Sequence, residues 1–166
     1  MIEAARPSSA PGDCRRRRIF VLNGPNLNLL GEREPELYGH TTFAELTAAL
    51  HRQAGNLGVA IEVRQTNHEG VLIDWLHEAH RDDVHAVLLN AAAYTHTSVA
   101  LRDAVLAIRT PVIEVHLTDP AQREAFRHQS HVEPGACAVF KGKGVDSYAD
   151  ALAFAAGLEA GRSSCR

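Results

Sequence analysis

The strongest constraint on this fold is an alternation of pattern. From residue 19 onward, short β-branched apolar runs are followed five times by stretches of helical periodicity. The strand candidates are Ile19 to Leu22, Val59 to Gln65, Val84 to Asn90, Val112 to His116 and Ala136 to Phe140. Most are too apolar to leave one face in water, as in a parallel sheet covered on both sides. The first predicted helix opens with Thr42-Phe43-Ala44-Glu45, a capping-box pattern, and ends near Gly58. The second runs from about Glu69 to His80, with Val71, Leu72, Trp75, Leu76 and Ala79 on one stripe. A third spans Ser98 to Ile108 before Pro111, a short one follows Pro120, and the last covers about Ser147 to Leu158 behind a cap at Asp146. Five βα units predict a doubly wound, five-stranded parallel sheet in a three-layer α/β/α arrangement of flavodoxin-like type.

The 166 residues suffice for one domain, expected over residues 19–159 between a disordered basic tail at 1–18 and a short tail at 160–166. The first 18 residues carry Arg6, Arg15, Arg16, Arg17 and Arg18 against Glu3 and Asp13, so the rest is acidic within a net charge of −3. An acidic body argues against general nucleic-acid binding, which draws its affinity from basic surface. No apolar run approaches the roughly 20 residues of a membrane span, and Ile19 to Leu22 is too short for the core of a secretory signal. A cytoplasmic protein is expected, with Cys14, Cys137 and Cys165 as reduced thiols.

In sheets of this class, ligands bind at the carboxyl ends of the strands, near the point where strand order reverses. Three segments fall there. Asn23 to Gly39 forms a connection far longer than the usual 2–6 residues, and a loop of that length is more often functional than idle. It has neither G-x-G-x-x-G nor G-K-[ST], so no nucleotide cradle is indicated. Asn90 to Ser98 ends at a helix start, with His96 beside it. In Val112 to Asp119, alternation sets Glu114 and His116 on one face of an otherwise apolar strand, where unpaired polar groups are costly. A carboxylate beside an imidazole favours the charged ring, which suits a general acid. His77 and His80 share a helix face, but no third ligand completes a metal triad nearby.

Five motifs at compatible spacing carry a specific resemblance. They are Asn23-Gly24-Pro25-Asn26-Leu27-Asn28; Arg33-Glu34-Pro35 with Tyr38-Gly39; Asn67-His68-Glu69-Gly70; Tyr94-Thr95-His96-Thr97-Ser98 with Leu101-Arg102-Asp103-Ala104; and Glu114-Val115-His116 with Phe126-Arg127-His128. From about residue 19 to 158 the chain resembles type II 3-dehydroquinate dehydratase. The resemblance implies a hydro-lyase that converts 3-dehydroquinate to 3-dehydroshikimate through an enolate, without cofactor or metal, as a dodecamer of four trimers. It implies Tyr38 as base and Arg33 as the cation that stabilises its charged form, both on a lid. Asn26 then holds a water against the enolate, and His116 is the acid, oriented by Glu114. Asn90, His96, Leu117, Thr118 and Arg127 bind substrate, with Asp103 reaching into a neighbouring subunit's site.

The chain also departs from the family pattern. Thr118-Asp119-Pro120-Ala121-Gln122-Arg123 stands where Ser-Asn-(Val/Ile)-His-(Ala/Lys)-Arg is usual, and Asp119 adds negative charge near an anionic substrate. Ala91-Ala92 replaces the commoner Pro-Gly after Asn90, and the last strand is atypical. Two other classes compete from the residues alone: a noncatalytic flavodoxin-like binding module, and a metal-dependent hydrolase built on the histidines.

Overall fold

Local chemistry sets the element boundaries. The computed structural model describes residues 17–32 and 40–159. Among these residues the chain runs β1 (Arg18–Asn23), α1 (Phe43–Leu57), β2 (Ala60–Gln65), α2 (Glu69–Arg81), β3 (Ala86–Asn90), α3 (Val99–Ala107), β4 (Val112–Val115), β5 (Ala138–Phe140) and α4 (Asp146–Gly157). The Thr42 capping box forms as expected: its hydroxyl accepts from the Glu45 N–H, and the Glu45 carboxylate accepts from the Thr42 N–H at 2.8 Å. Gly58 ends that helix in the left-handed conformation that glycine tolerates best. Ser98 caps α3 through the Leu101 N–H at 2.8 Å.

The sheet is parallel, in the order β2-β1-β3-β4-β5, the flavodoxin-like arrangement that the alternation predicts. Strand periodicity then divides the core in two. Ile19, Val21, Leu88, Ile113 and Val115 face α1 and α4, meeting Leu50, Tyr148 and Leu152. Phe20, Leu22, Val87, Leu89 and Val112 face α2 and α3, meeting Leu72, Leu76 and Leu101. Glu114 and His116, in phase with Val112, lie toward this second layer.

Four expectations need adjusting. β1 begins at Arg18, whose guanidinium pairs with Asp82 at 3.0 Å. Arg17 donates to the carbonyls of Ala156 and Leu158, so these two members of the basic run lie against the folded body. The segment after Pro120 is a chain of 3-10 turns, Pro120–Gln122, Ala125–Arg127 and Glu133–Gly135, because Arg123 and Glu124 are extended and stop propagation. Asp146 is the first residue of α4 rather than its cap, with Val145 preceding it in helical conformation. Cys137 is disulfide-bonded, contrary to the reduced-thiol expectation.

β1 and β3 lie side by side, and the chain leaves them in opposite directions across the sheet, opening the crevice. Here Gly24 donates its N–H to the Asn90 carbonyl at 2.8 Å. A Cβ at Gly24 would sit 2.5 Å from the Ala91 carbonyl oxygen, which is backbone and cannot swing aside. Gly24→Ala is therefore expected to destabilise the fold by about 2 kcal/mol, the middle of the range for overpacking. A denaturant midpoint within experimental error of the parent would contradict this close approach.

Candidate active site

A cavity of ≈ 260 Å³ opens at the carboxyl ends of β1, β3 and β4. Its wall includes Asn26, Asn90, His96, His116, Leu117, Thr118 and Arg127, all seven singled out from the sequence. Glu114 stands directly behind it. Its side chain is 1% exposed, and its Oε1 accepts from His116 Nε2 at 2.7 Å and from the Ser130 hydroxyl at 2.8 Å. An ionised carboxylate only accepts, so the bonded imidazole nitrogen carries a hydrogen, leaving Nδ1 as the ring's other polar atom. Glu114 Oε2 is buried without a hydrogen-bond partner among the described residues. A carboxylate desolvated to this degree is costly, which ties it to a charged or hydrogen-bonding partner such as His116.

His96 stacks on His116 with ring centroids 6.4 Å apart. Its Nδ1 lies 2.8 Å from the Gln129 carbonyl, which must accept, so in the neutral ring Nε2 is an acceptor. Burial is the largest influence holding the His96 pKa below its ordinary 6.5, and the nearby His116 and Arg127 act in the same direction. The two rings are therefore oriented by different partners, His116 by Glu114 and His96 by the Gln129 carbonyl.

Beneath the cavity floor, the ends of β1 and β3 are joined by a fully buried tyrosine that the sequence analysis did not single out. Tyr148 donates to Asn23 Oδ1 at 2.6 Å and accepts from Asn90 Nδ2 at 2.8 Å. Burial raises its pKa far above the usual tyrosine value and keeps the hydroxyl intact. Asn90 Oδ1 accepts from the Ala92 N–H at 3.1 Å. Asn90 therefore lines the cavity while its amide also holds the floor together. The signal for Tyr148 was weak, because a tyrosine on a helix stripe reads as core.

Ala92 adopts φ +50°, the region where the commoner glycine is at ease. Its N–H bond to Asn90 and its place in the 3-10 turn Ala92–His96 hold it there. The Asp119 charge is also accommodated. Asp119 is absent from the cavity wall, its Oδ1 accepts from the Ala121 N–H at 3.1 Å, and Lys141 Nζ lies 3.2 Å away. The Ala121 bond, followed by Lys141, holds its carboxyl below the ordinary value. The N–H groups of Leu117 and Thr118 make no hydrogen bond among the described residues, leaving two donors at the cavity wall.

Asp103 is exposed on α3 and does not line this chain's cavity. Arg33 and Tyr38 lie outside the described residues. Arg123, which the sequence analysis noted only as part of the altered stretch, lines the cavity from the extended link, four residues before Arg127 at the end of the next 3-10 turn. Arg127 is braced by Glu124 at 2.9 Å. No group of three or more His, Cys, Asp or Glu residues that could hold a metal occurs among the described residues. Among them, no helix is long and apolar enough to cross a membrane.

A parallel α/β domain of flavodoxin-like order, with a carboxylate–imidazole pair, amide side chains and arginines at one small cavity, is an α/β protein with a polar strand-end site. Comparison with known proteins narrows the class. Residues 17–156 match the family model for dehydroquinase class II. The 3-dehydroquinate dehydratase of Hyphomonas neptunium is 54% identical over 137 residues, 82% of this chain and 91% of that protein. The corresponding Bordetella avium protein is 50% identical over 139 residues, 84% of this chain and 96% of that protein. The crystal structure of the type II dehydroquinase from Propionibacterium acnes superposes with a TM-score of 0.81 at 42% identity, covering 84% of this chain and 96% of that one. The chain belongs to the class II dehydroquinase family and is an enzyme.

Two measurements test the site geometry. Ala92→Gly is expected to raise stability by about 1 kcal/mol by relieving the left-handed strain, read as a higher denaturant midpoint. His96 should titrate below 6.5 in an NMR pH series. The sign for stability follows: between the lowered native value and the unfolded one, the unfolded chain binds more protons. The contribution of His96 is therefore present above about pH 6.5 and lost as pH falls through that window. A ring midpoint at or above 6.5 would count against this partial desolvation of His96.

Proposed function

We propose that this chain dehydrates 3-dehydroquinate to 3-dehydroshikimate through an enolate, with Tyr38 as base and His116 as acid. The observation that carries the reading is the buried Glu114–His116 pair opening onto a cavity also lined by Asn26, His96 and Arg127. Family membership supplies the reaction class, and the relatives named above are 3-dehydroquinate dehydratases.

The reaction needs three things: removal of a proton next to a ketone, a holder for the resulting enolate, and a proton for the hydroxide that leaves from the β carbon. In the proposed cycle, the Tyr38 phenolate takes the α proton, and the C–H electron pair becomes the enolate double bond. Asn26 holds a water against the enolate oxygen. When the enolate collapses, the β C–O bond breaks and His116 delivers a proton, so that water departs and a conjugated enone remains. Tyr38 returns its proton and His116 regains one through solvent.

Ionising an ordinary tyrosine at pH 7 costs about 4 kcal/mol, and a nearby cation typically recovers 1–3 pKa units of that. Arg33, helped by Arg127, has this task. Glu114 fixes which His116 nitrogen faces the reaction. Leu117 and Thr118 offer N–H groups to the substrate carboxylate, Arg127 supplies a cation, and neutral His96 and Asn90 meet substrate hydroxyls.

We further propose that Asp103, exposed on α3, completes the site of a neighbouring copy in a dodecamer of trimers, because a symmetric contact repeats at every site. Location in the cytoplasm and service in aromatic biosynthesis or quinate breakdown belong to the same reading. The route avoids an imine to lysine. This chain's two lysines, Lys141 and Lys143, are paired with Asp119 at 3.2 Å and Asp150 at 2.8 Å. Neither ion pair suits a lysine that must be neutral to attack a carbonyl.

The test is direct. Purified protein mixed with 3-dehydroquinate should produce the ultraviolet absorbance of the conjugated product. Tyr38→Phe should keep the fold and lose at least about a hundredfold in turnover, the low end for a general base. Borohydride with substrate should add no mass to either lysine. A substrate-sized adduct, or near-normal turnover by Tyr38→Phe, would overturn the mechanism.

A further inference from the structure

The Asn67-His68-Glu69-Gly70 segment supplies nothing to the cavity wall, yet Asn67 contacts structures on two of its sides. On one side is Asn26, held at φ 67°, ψ −1°. Asparagine enters that left-handed conformation more readily than most residues, so what needs explaining is what fixes it here. Asn67 Oδ1 accepts from the Asn26 backbone N–H at 2.9 Å. It also accepts from Gln65 Nε2 at 3.0 Å, and the same Gln65 nitrogen donates to the Gly24 carbonyl at 3.2 Å. Both neighbours of this Asn67 atom are donors, so it must be the oxygen.

On the other side is the 3-10 turn Ala92–His96. The Tyr94 hydroxyl donates to the Asn67 backbone carbonyl at 2.8 Å. The Tyr94 carbonyl in turn accepts the N–H groups of Thr97 at 3.3 Å and Ser98 at 2.9 Å, so the ring is anchored in the turn that carries His96. The two arms use different atoms: the side-chain oxygen holds Asn26, and the main-chain oxygen holds Tyr94.

We infer that Asn67 is a positioning residue that locks Asn26 and the His96 turn at a fixed separation across the cavity. The inference rests on the proposed roles of Asn26 and His96. Asn67 is itself exposed and touches no reacting atom in this arrangement. Its two side-chain bonds require an acceptor at Oδ1. A carboxylate meets that requirement with the same shape, whereas a methyl group does not.

Three variants and a measurement independent of activity test this. Asn67→Ala is expected to lower kcat by at least about tenfold, the effect of one hydrogen bond of ordinary net strength, without changing thermal stability comparably. Asn67→Asp should recover kcat to within about threefold of the parent, because the acceptor is restored. Tyr94→Phe releases the other arm and should raise KM by about threefold or more, with a smaller change in kcat. Amide hydrogen exchange at Asn26 should quicken in Asn67→Ala and stay parental in Asn67→Asp, whatever the enzyme acts on. Parental kcat in Asn67→Ala, no rescue by aspartate, or unchanged Asn26 exchange would each overturn the positioning role. If the parent does not turn over 3-dehydroquinate, the functional reading fails, while the exchange data still decide whether Asn67 holds Asn26.

Discussion

The Asn23–Tyr148–Asn90 hydrogen-bond chain is the interaction on which the rest of the site depends. It lies where β1 and β3 end side by side and the chain departs in opposite directions. Two strand-end amides buried at such a point leave donors and acceptors that an apolar layer cannot satisfy. One tyrosine from α4 serves both, accepting from one amide and donating to the other. Asn23 Nδ2 also reaches the Arg64 carbonyl at 3.0 Å, and Asn90 Oδ1 takes the Ala92 N–H, so the network extends from β2 to the turn beneath His96. A floor of this kind is rigid because every replacement leaves a buried polar group without its partner.

Above that floor, charge is compartmentalised. Glu114 is the most deeply buried carboxylate among the described residues, held between His116 and Ser130, and Ser130 also takes the N–H groups of Val132 and Glu133. The last 3-10 turn before β5 is thereby tied to the acid pair. Partial burial holds the His96 pKa below its ordinary value, and the ring stacks on His116 with centroids 6.4 Å apart. Asp119 pairs with Lys141 and is absent from the cavity wall, where Arg123 and Arg127 stand with Glu124 beside both.

Much of the fold was legible because its signals are local or strictly periodic. The Thr42 capping box, the Ser98 cap and the apolar strands each report their own conformation without reference to the rest of the chain. The loops that the strand-end rule selects meet around one cavity, which Asn26, His96, His116, Leu117, Thr118 and Arg127 line. What remained illegible was relational. Asp119 reads as an unfavourable charge until Lys141, 22 positions later, is seen beside it. Ala92 gives no hint of a positive φ, because the demand comes from the turn and not from alanine. The turns after Pro120 follow helix-compatible composition, but extended backbone at Arg123 and Glu124 interrupts them.

By itself, the sequence determined the layer architecture, the parallel sheet, the segments at the carboxyl ends of its strands and the family to which they belong. Hydrophobic periodicity and motif spacing are properties of the chain in one dimension. Only the tertiary structure decided that Tyr148 closes the strand ends, that Ser130 shares the Glu114 oxygen, and that Asn67 reaches both Asn26 and Tyr94. Each of these joins residues from separate elements through hydrogen bonds a few ångströms long and directional. Such contacts exist only after the sheet and helices have packed, because packing brings donor and acceptor into line.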